Sequence, residues 1–556
     1  MAEVRQEQAA LQAPVRAMRV AAWRALVRDR PGALRAALEH VYGDWPALLA
    51  AREANLARML DAFEATFGDQ KVVVVRAPGR VNLMGRHVDH RGGFINTIAI
   101  HNDVWIVAAA RPGGRLVLRD LDPQFNPYDI DPAPLYARAR ARDWRAFINC
   151  REVEEHLAAN RGSWANYGLG AYLRLRAEFG DALAGGLSAV VWGDVPVSVG
   201  LSSSSSVFVA TALALTHLYG LAVEPGRFVG LCGEGEWFVG TRGGAGDHAS
   251  MIYGRRGMIS QIGFHPIQLA RRAPLPPDLE IILCNSFQRA EKSRHARDRF
   301  NARVAAYEIA LALLRQRCPA LARDVAHLRD LNPERLGVPV ERLYEALRTI
   351  PVWMTREEIG AALHEKADRI ETWFDSHADH EGGYPLRAVL LYGMAECERS
   401  RHALETISSG DSGRIRRLFA VSHDGDRVSR AGADGRRVSW AAATDDAGLD
   451  QLIRAARSAD PAERECAALH HQVGAYGCST PEIDVMIDLA EATEGVIGAQ
   501  LVGAGLGGSI VVLARRGTVE RLEAALARGY YEPHGLAPEV HVFQPVEGAA
   551  CLVPAT

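Results

Sequence analysis

The sequence predicts an α+β chain in two halves, with a helical layer added in front and insertions in the second half. Three observations carry this. Apolar residues three and four apart run through most of the first 70 positions, the period of helices that bury one face. From Lys71 short β-like runs such as "KVVVV", "WIVAAA" and "LSAVVWGD" alternate with helical stretches, and no tandem repeat is apparent. The end returns to the same alternation in "PEIDVMIDLAEA", "IGAQLVGAGLGGSIVVLA", "VERLEAALARGYY" and "EVHVFQP".

Taken in order, residues 1–70 read as helices broken at Pro31-Gly32 and Asp44-Trp45-Pro46, and they hold no recognisable chemistry. Such a layer packs on the main body or on a second subunit, so a homo-oligomer through these helices is one expectation. Residues 71–275 form the first half, with strands at "KVVVVRAPGRVNL", "WIVAAARPGG", "GRLVLRDL" and "LSAVVWGDVP" and helices around 143–179 and 206–219. The second half, 276–556, opens with the strand "EIILCNSF" and a long helix from about Ser293 to Arg317. Two insertions are expected in it, a helix-rich one at about 318–400 and a polar surface one at about 424–469.

At 556 residues the chain is too long for one ordinary core, so two or three packed units are expected. Hydrophobic residues at 48% and charged residues at 24% are those of a water-soluble globular protein. A net charge of -3 gives no footing for nucleic acid or an anionic membrane. The N-terminus lacks the apolar core of a signal peptide, and no run approaches the roughly 20 apolar residues that span a bilayer. Eight cysteines without a CxxC pair suggest neither a zinc cluster nor a disulfide framework. The expectation is a reducing, cytoplasmic compartment.

Three loops carry chemistry. "RAPGRVNLMGRHVDHRGGF", residues 76–94, gathers Arg80, Arg86, His87, Asp89, His90 and Arg91 where an apolar strand ends and the backbone bends twice. In "DVPVSVGLSSSSSVFVATALALTHLYG", residues 194–220, five serines follow Gly200 and open an apolar helix. A serine run alone reads as a linker. Here it stands between a strand and a helix, where small side chains and free N–H groups suit a phosphate and a hydroxyl can ligate magnesium. "GAQLVGAGLGGSIVVLA", residues 498–514, places its glycines before a β run, which is not the order of a dinucleotide-binding turn.

Together these stretches resemble the GHMP kinases, in their galactokinase branch. The first is similar to that family's "GRVNLIGEHTDYNGG", the second to "PxGxGLSSSAA" and the third to "GAGFGG", in the same order. "EWFVGTRGGAGDHAS", "FNARVAAYE" and "GCSTPEIDVMIDLA" resemble the family's "GxPCGIMDQ", "YNxRRxQCE" and "SxPELDxLV". The likeness covers most of 71–317 and about 402–545. It implies a two-domain fold, an N-terminal α/β domain with the phosphate loop and a C-terminal ferredoxin-like α+β domain. The implied activity is an ATP- and Mg2+-dependent sugar kinase making a sugar 1-phosphate.

By resemblance, Asp247 is the catalytic aspartate near the sugar's C1 hydroxyl, and Arg80 sits beside it against developing charge. Gly200, Ser202, Ser203 and Ser204 would cradle the ATP phosphates, with Gly505 and Gly507 bracing that loop or the substrate. Ser203 or Ser204 would help hold Mg2+ with a glutamate from "CGEGEWFVG", where Glu234 and Glu236 both stand and Glu236 is favoured. Arg86, His87, Asp89 and Phe300 would line the sugar. Arg86 stands where the family has a glutamate on the sugar's 6-hydroxyl, and Phe300 where it has a tyrosine. A guanidinium prefers an anion, so a uronic acid such as galacturonate becomes an expectation beside a galactose-like sugar. The alternative is that Arg86 pairs with a nearby acid. A kinase of a sugar phosphate or nucleoside-like sugar, and a non-catalytic sugar and ATP sensor, remain open at this point.

Overall fold

The computed structural model describes residues 16–29, 31–140, 143–197, 199–240, 242–288, 294–364, 367–375, 377–379 and 382–554. Helices α1 (Val20–Asp29), α2 (Pro31–Tyr42) and α3 (Pro46–Phe67) come first. Strands β1 (Lys71–Met84), β2 (Phe94–Arg111), β3 (Leu116–Asp120) and β4 (Tyr128–Ile130) follow, then α4 (Ala165–Phe179), β5 (Gly186–Gly193), α5 (Ser203–Tyr219), α6 (Pro225–Glu236), α7 (Gly246–Ile252), β6 (Met258–Gly263) and β7 (Gln268–Pro274).

The run "VVVV" is continuous because both faces of β1 are covered. Val73 and Val75 turn to the core that holds Leu169 of α4 and Leu213 of α5. Val72 and Val74 turn the other way, onto Trp23, Leu34, Leu56 and Phe63 of the N-terminal helices. Each fully buried valine of this kind contributes about 1.5–3 kcal/mol. Polar groups pin the layer as well. Tyr42 donates to Asp103, Arg52 donates to the His101 carbonyl at 2.6 Å, and Arg52 pairs with Asp194 at 2.8 Å. The apolar faces of α1–α3 therefore pack on the main body of the chain, one of the two packings expected for this layer.

Nine strands of the described residues form the first sheet: the path β1-β2-β5-β3-β4 runs through its centre, β6 and β7 extend from β2, and the two-residue strands Met18–Arg19 and Ala550–Cys551 pair with β1. β3 and β5 run parallel; β1, β2 and β5 are antiparallel neighbours. In the second half the strands are β8 (Leu279–Asn285), β9 (Val496–Leu501), β10 (Ser509–Arg515) and β11 (Val540–Phe543). Between β8 and β9 lie α8 (Arg294–Arg317), α9 (Leu386–Ser408), α10 (Ser412–Asp424) and α11 (Pro481–Glu491), and α12 (Val519–Leu526) joins β10 to β11. The sheet order β9-β10-β8-β11, antiparallel throughout, is the ferredoxin-like order expected from the resemblance. Side chains alternate along β8: Ile281 and Leu283 face α10, while Ile282 and Cys284 face α11 and α12.

Two boundaries differ from expectation. After β11 the chain returns to the first half, where β12 (Ala550–Cys551) pairs with Val75 and Arg76 of β1. The polar stretch placed at 424–469 is not all surface: Asp426 is fully buried, and exposure begins near Arg430. The helix-rich insertion shares a core with α8, and α9 runs on to Ser408 beneath the loop of residues 84–94.

Candidate active site

A bulge in β1 at Gly79 opens the site. A Cβ there would stand 3.0 Å from the Leu201 carbonyl and 3.1 Å from Val195, so any larger residue would push the serine loop away from the strand by a few tenths of an ångström. The Arg80 N–H donates to that same carbonyl. Ser202, at φ +61°, is the N-cap residue of α5, and its side chain makes no capping bond to the helix. From the other domain, residues 503–508 close over the loop: a Cβ at Gly200 would meet Val502 at 3.1 Å, and one at Gly503 would meet Gly200 at 3.6 Å. Gly505, at φ +78°, presses on the Cys478 carbonyl, which a Cβ would approach to 2.2 Å. Gly507, at φ +123°, lies in the same turn.

Arg80, Ser202 and Asp247 meet here. Arg80 Nε and Nη2 both lie 2.7 Å from Asp247 Oδ1, and Arg80 Nη1 donates to the Gly200 carbonyl at 2.5 Å. Ser202 Oγ donates to Asp247 Oδ2 at 2.5 Å. The arginine side chain is 6% exposed and the aspartate 37%, so the carboxylate faces the cleft while its clamp is covered. A charge-assisted pair of this kind fixes the carboxylate's position.

Ser203 and Ser204 occupy the first turn of α5, half-buried. Of the two glutamates in α6, Glu234 is tied to Arg174 at 2.6 Å and to Arg227 at 3.4 Å. Glu236 turns instead to the start of α5, accepting from Ser205 Oγ at 2.8 Å and lying 2.7 Å from His248 Nε2. A carboxylate beside serine hydroxyls at a helix N-terminus is a hard oxygen donor set that fits Mg2+.

In the loop of residues 84–94, Arg86 is paired with an acid. Its side chain is 1% exposed and wholly engaged: Nε and Nη2 on Asp426 Oδ2 at 3.1 Å, Nη2 on the Ser422 carbonyl and hydroxyl at 3.2 Å, and Nη1 on Gln500. It ties the loop to α10 and β9, the pairing with a nearby acid that stood as the alternative. His87, at φ +62°, stacks on Tyr476 with ring centroids 4.1 Å apart, its Nε2 3.3 Å from Asp426 Oδ1. Burial would raise the Asp426 carboxyl, yet the charges of His87 and Arg86 hold it well below the usual carboxylate range. Phe300, half-buried on α8, lies 6.2 Å from the His87 ring.

Asp89 sits under the turn that carries Gly246 and Asp247. Its Oδ2 accepts from the Gly246 N–H at 3.0 Å, and its Oδ1 lies 3.1 Å from His90 Nδ1. Burial pushes this carboxyl up, but the His90 contact and the backbone N–H groups outweigh it and hold it at about 2. The acid that carries sugar recognition in the resemblance thus also positions the backbone next to Asp247.

Sequence reasoning missed Asp426, Glu396, Gln500 and His248. Glu396 accepts from the Gly85 N–H at 3.0 Å and pairs with Arg399 at 2.7 Å, both side chains fully buried. Glu396, the first acid after the apolar run "AVLLYGMA", and the lone amide in "IGAQLV" were signals for two of these; Asp426 looks like any polar loop residue.

Three segments match family descriptions: the galactokinase galactose-binding signature over residues 61–110, the GHMP kinases N terminal domain over 166–255, and the GHMP kinases C terminal over 449–532. A galactokinase of Roseiflexus sp. is 25% identical over 496 residues, covering 89% of this chain and 96% of its own length. A galactokinase of Chloroflexus aurantiacus is 25% identical over 478 residues, covering 86% and 92%. The crystal structure of Lactococcus lactis galactokinase complexed with galactose superposes with a TM-score of 0.59 at 19% identity, over 88% of this chain and 97% of that one.

Proposed function

Because this chain is a sugar kinase of the GHMP family, of galactokinase type, we propose that it transfers the γ-phosphoryl group of ATP, with Mg2+, to the C1 hydroxyl of a neutral galactose-like sugar. The observation that carries the reading is the clamp of Arg80 and Ser202 on Asp247 at the mouth of the serine loop. Phosphoryl transfer through a loose transition state asks for alignment and charge stabilisation more than for a strong base. The clamped Asp247 carboxylate accepts the hydrogen bond of the attacking hydroxyl and orients its oxygen. Arg80, already bonded to the Gly200 carbonyl, stands where charge develops on the transferred group. The N–H groups at the start of α5, with Ser202, Ser203 and Ser204, hold the phosphates, and Gly505 and Gly507 keep the covering loop close. Glu236, with Ser203 or Ser204, would hold Mg2+, which supplies neutralisation of phosphate charge when bound.

A neutral sugar is favoured over a uronic acid because the buried Arg86 guanidinium is already paired with Asp426 and bonded to Gln500 and Ser422. Asp89, His87 and Phe300 would then contact the ring. All eight cysteines are unpaired, which supports a cytoplasmic setting; among the described residues no helix is long and apolar enough to cross a membrane.

Asp247→Asn tests the reading. Nucleotide binding persists in the variant, while sugar-dependent ADP release falls by about 100-fold or more. Unchanged turnover would remove Asp247 from the reaction.

A further inference from the structure

We propose that Glu465, His470 and His471 form a binding site for a zinc-class divalent cation, outside the kinase cleft. Glu465 lies in the last turn of the short helix Pro461–Cys466, and the two histidines lie in the 3-10 turn Leu469–His471 that follows. Glu465 Oε1 is 3.0 Å from His471 Nε2 and 3.9 Å from His470 Nε2, and one donor atom from each residue falls within 4.8 Å of the others. Tetrahedral zinc with bonds of 2.0–2.1 Å spaces its donors by roughly 3.4 Å, midway between these two distances. Two imidazoles and a carboxylate are a zinc donor set, and they leave a fourth position for water.

The cage is built rather than incidental. Gln472 Nε2 donates to the Cys466 and Ala468 carbonyls at 2.9 and 3.0 Å, binding the helix end to the turn. Arg399 of α9 holds the carbonyls of His470 and Gln472 from below. The histidine side chains are 28% and 17% exposed and the glutamate 62%, so the rings are sheltered while the carboxylate meets solvent, which gives an ion its way in. A second convergence, His87 with Asp426 and Cys478, is less suited to a cation, because the Arg86 guanidinium already occupies Asp426. An ion at Glu465 would staple the segment that grips Arg399. Arg399 pairs with Glu396, and Glu396 with the Gly85 N–H, so the ion would stiffen the floor of the sugar loop.

The test uses the full chain stripped with a chelator and titrated with ZnCl2 by calorimetry, then with Co2+ by absorption spectroscopy. One equivalent binds, and Glu465→Gln and the double variant His470→Ala/His471→Ala each weaken it by more than about tenfold, with unchanged circular dichroism. Co2+ gives visible d–d bands without a thiolate charge-transfer band, and Cys478→Ser binds like the parent. Absence of saturable binding, binding retained in the double variant, or loss of binding in Cys478→Ser would each overturn the site. Sugar kinase activity plays no part in these readouts, so failure here leaves the kinase reading standing.

Discussion

Arg86 shows how one side chain is decided by its partners rather than by its type. In a loop that grips a sugar, a guanidinium invites an anionic ligand. Buried against Asp426, Ser422 and Gln500, it has become an internal tie between the two halves. Removing one member of a buried pair leaves an uncompensated charge, a loss of about 3–5 kcal/mol. Arg86→Met should lower stability by that amount in equilibrium denaturation. The reverse pattern, unchanged stability with a raised KM for an acidic sugar, would restore Arg86 to the substrate. Glu236 is the opposite case. Its neighbour Glu234, two positions away, is paired with Arg174 and Arg227, and this leaves Glu236 for the helix start.

At the scale of elements, the two glycine-rich loops work as a pair that neither domain holds alone. Gly505→Ala drives a Cβ to 2.2 Å from the Cys478 carbonyl and adds the strain of φ +78°, about 1–3 kcal/mol. Gly517→Ala carries the same kind of strain at φ +81° with nothing within 4 Å. Nucleotide affinity, measured by fluorescence titration, should fall in Gly505→Ala and hold in Gly517→Ala; equal behaviour of the two would deny the loop its bracing role. These loops were legible in the sequence because their demands are local. A run of serines before an apolar helix, or glycines before a β run, states its backbone geometry within a few residues. The Arg86 and Asp426 pair spans 340 positions, and no local pattern announces such a partner. The continuous "VVVV" was legible as a strand, but its second buried face became clear only with the helices of residues 20–67 in place.

Over the whole molecule, the cleft is made by two domains and closed by contributions from both. The first half supplies Arg80, the serine loop, Asp247 and Glu236; the second supplies the glycine loop and the internal ties of Asp426 and Gln500. The N-terminal helices cover the second face of the first sheet and the returning strand β12 pairs with β1, the strand that carries Arg80. Ferredoxin-like order and the domain sequence were readable from motif order, whereas the return of the C-terminus was not, because "ACLV" is too short to carry a period. The central claim is that this assembly phosphorylates a neutral galactose-like sugar at C1. The measurement that tests it most directly is NMR of the product formed from ATP, Mg2+ and galactose. The account predicts a phosphorus nucleus coupled to the anomeric proton; coupling to a C6 proton, or no phosphorylated galactose at all, would contradict it.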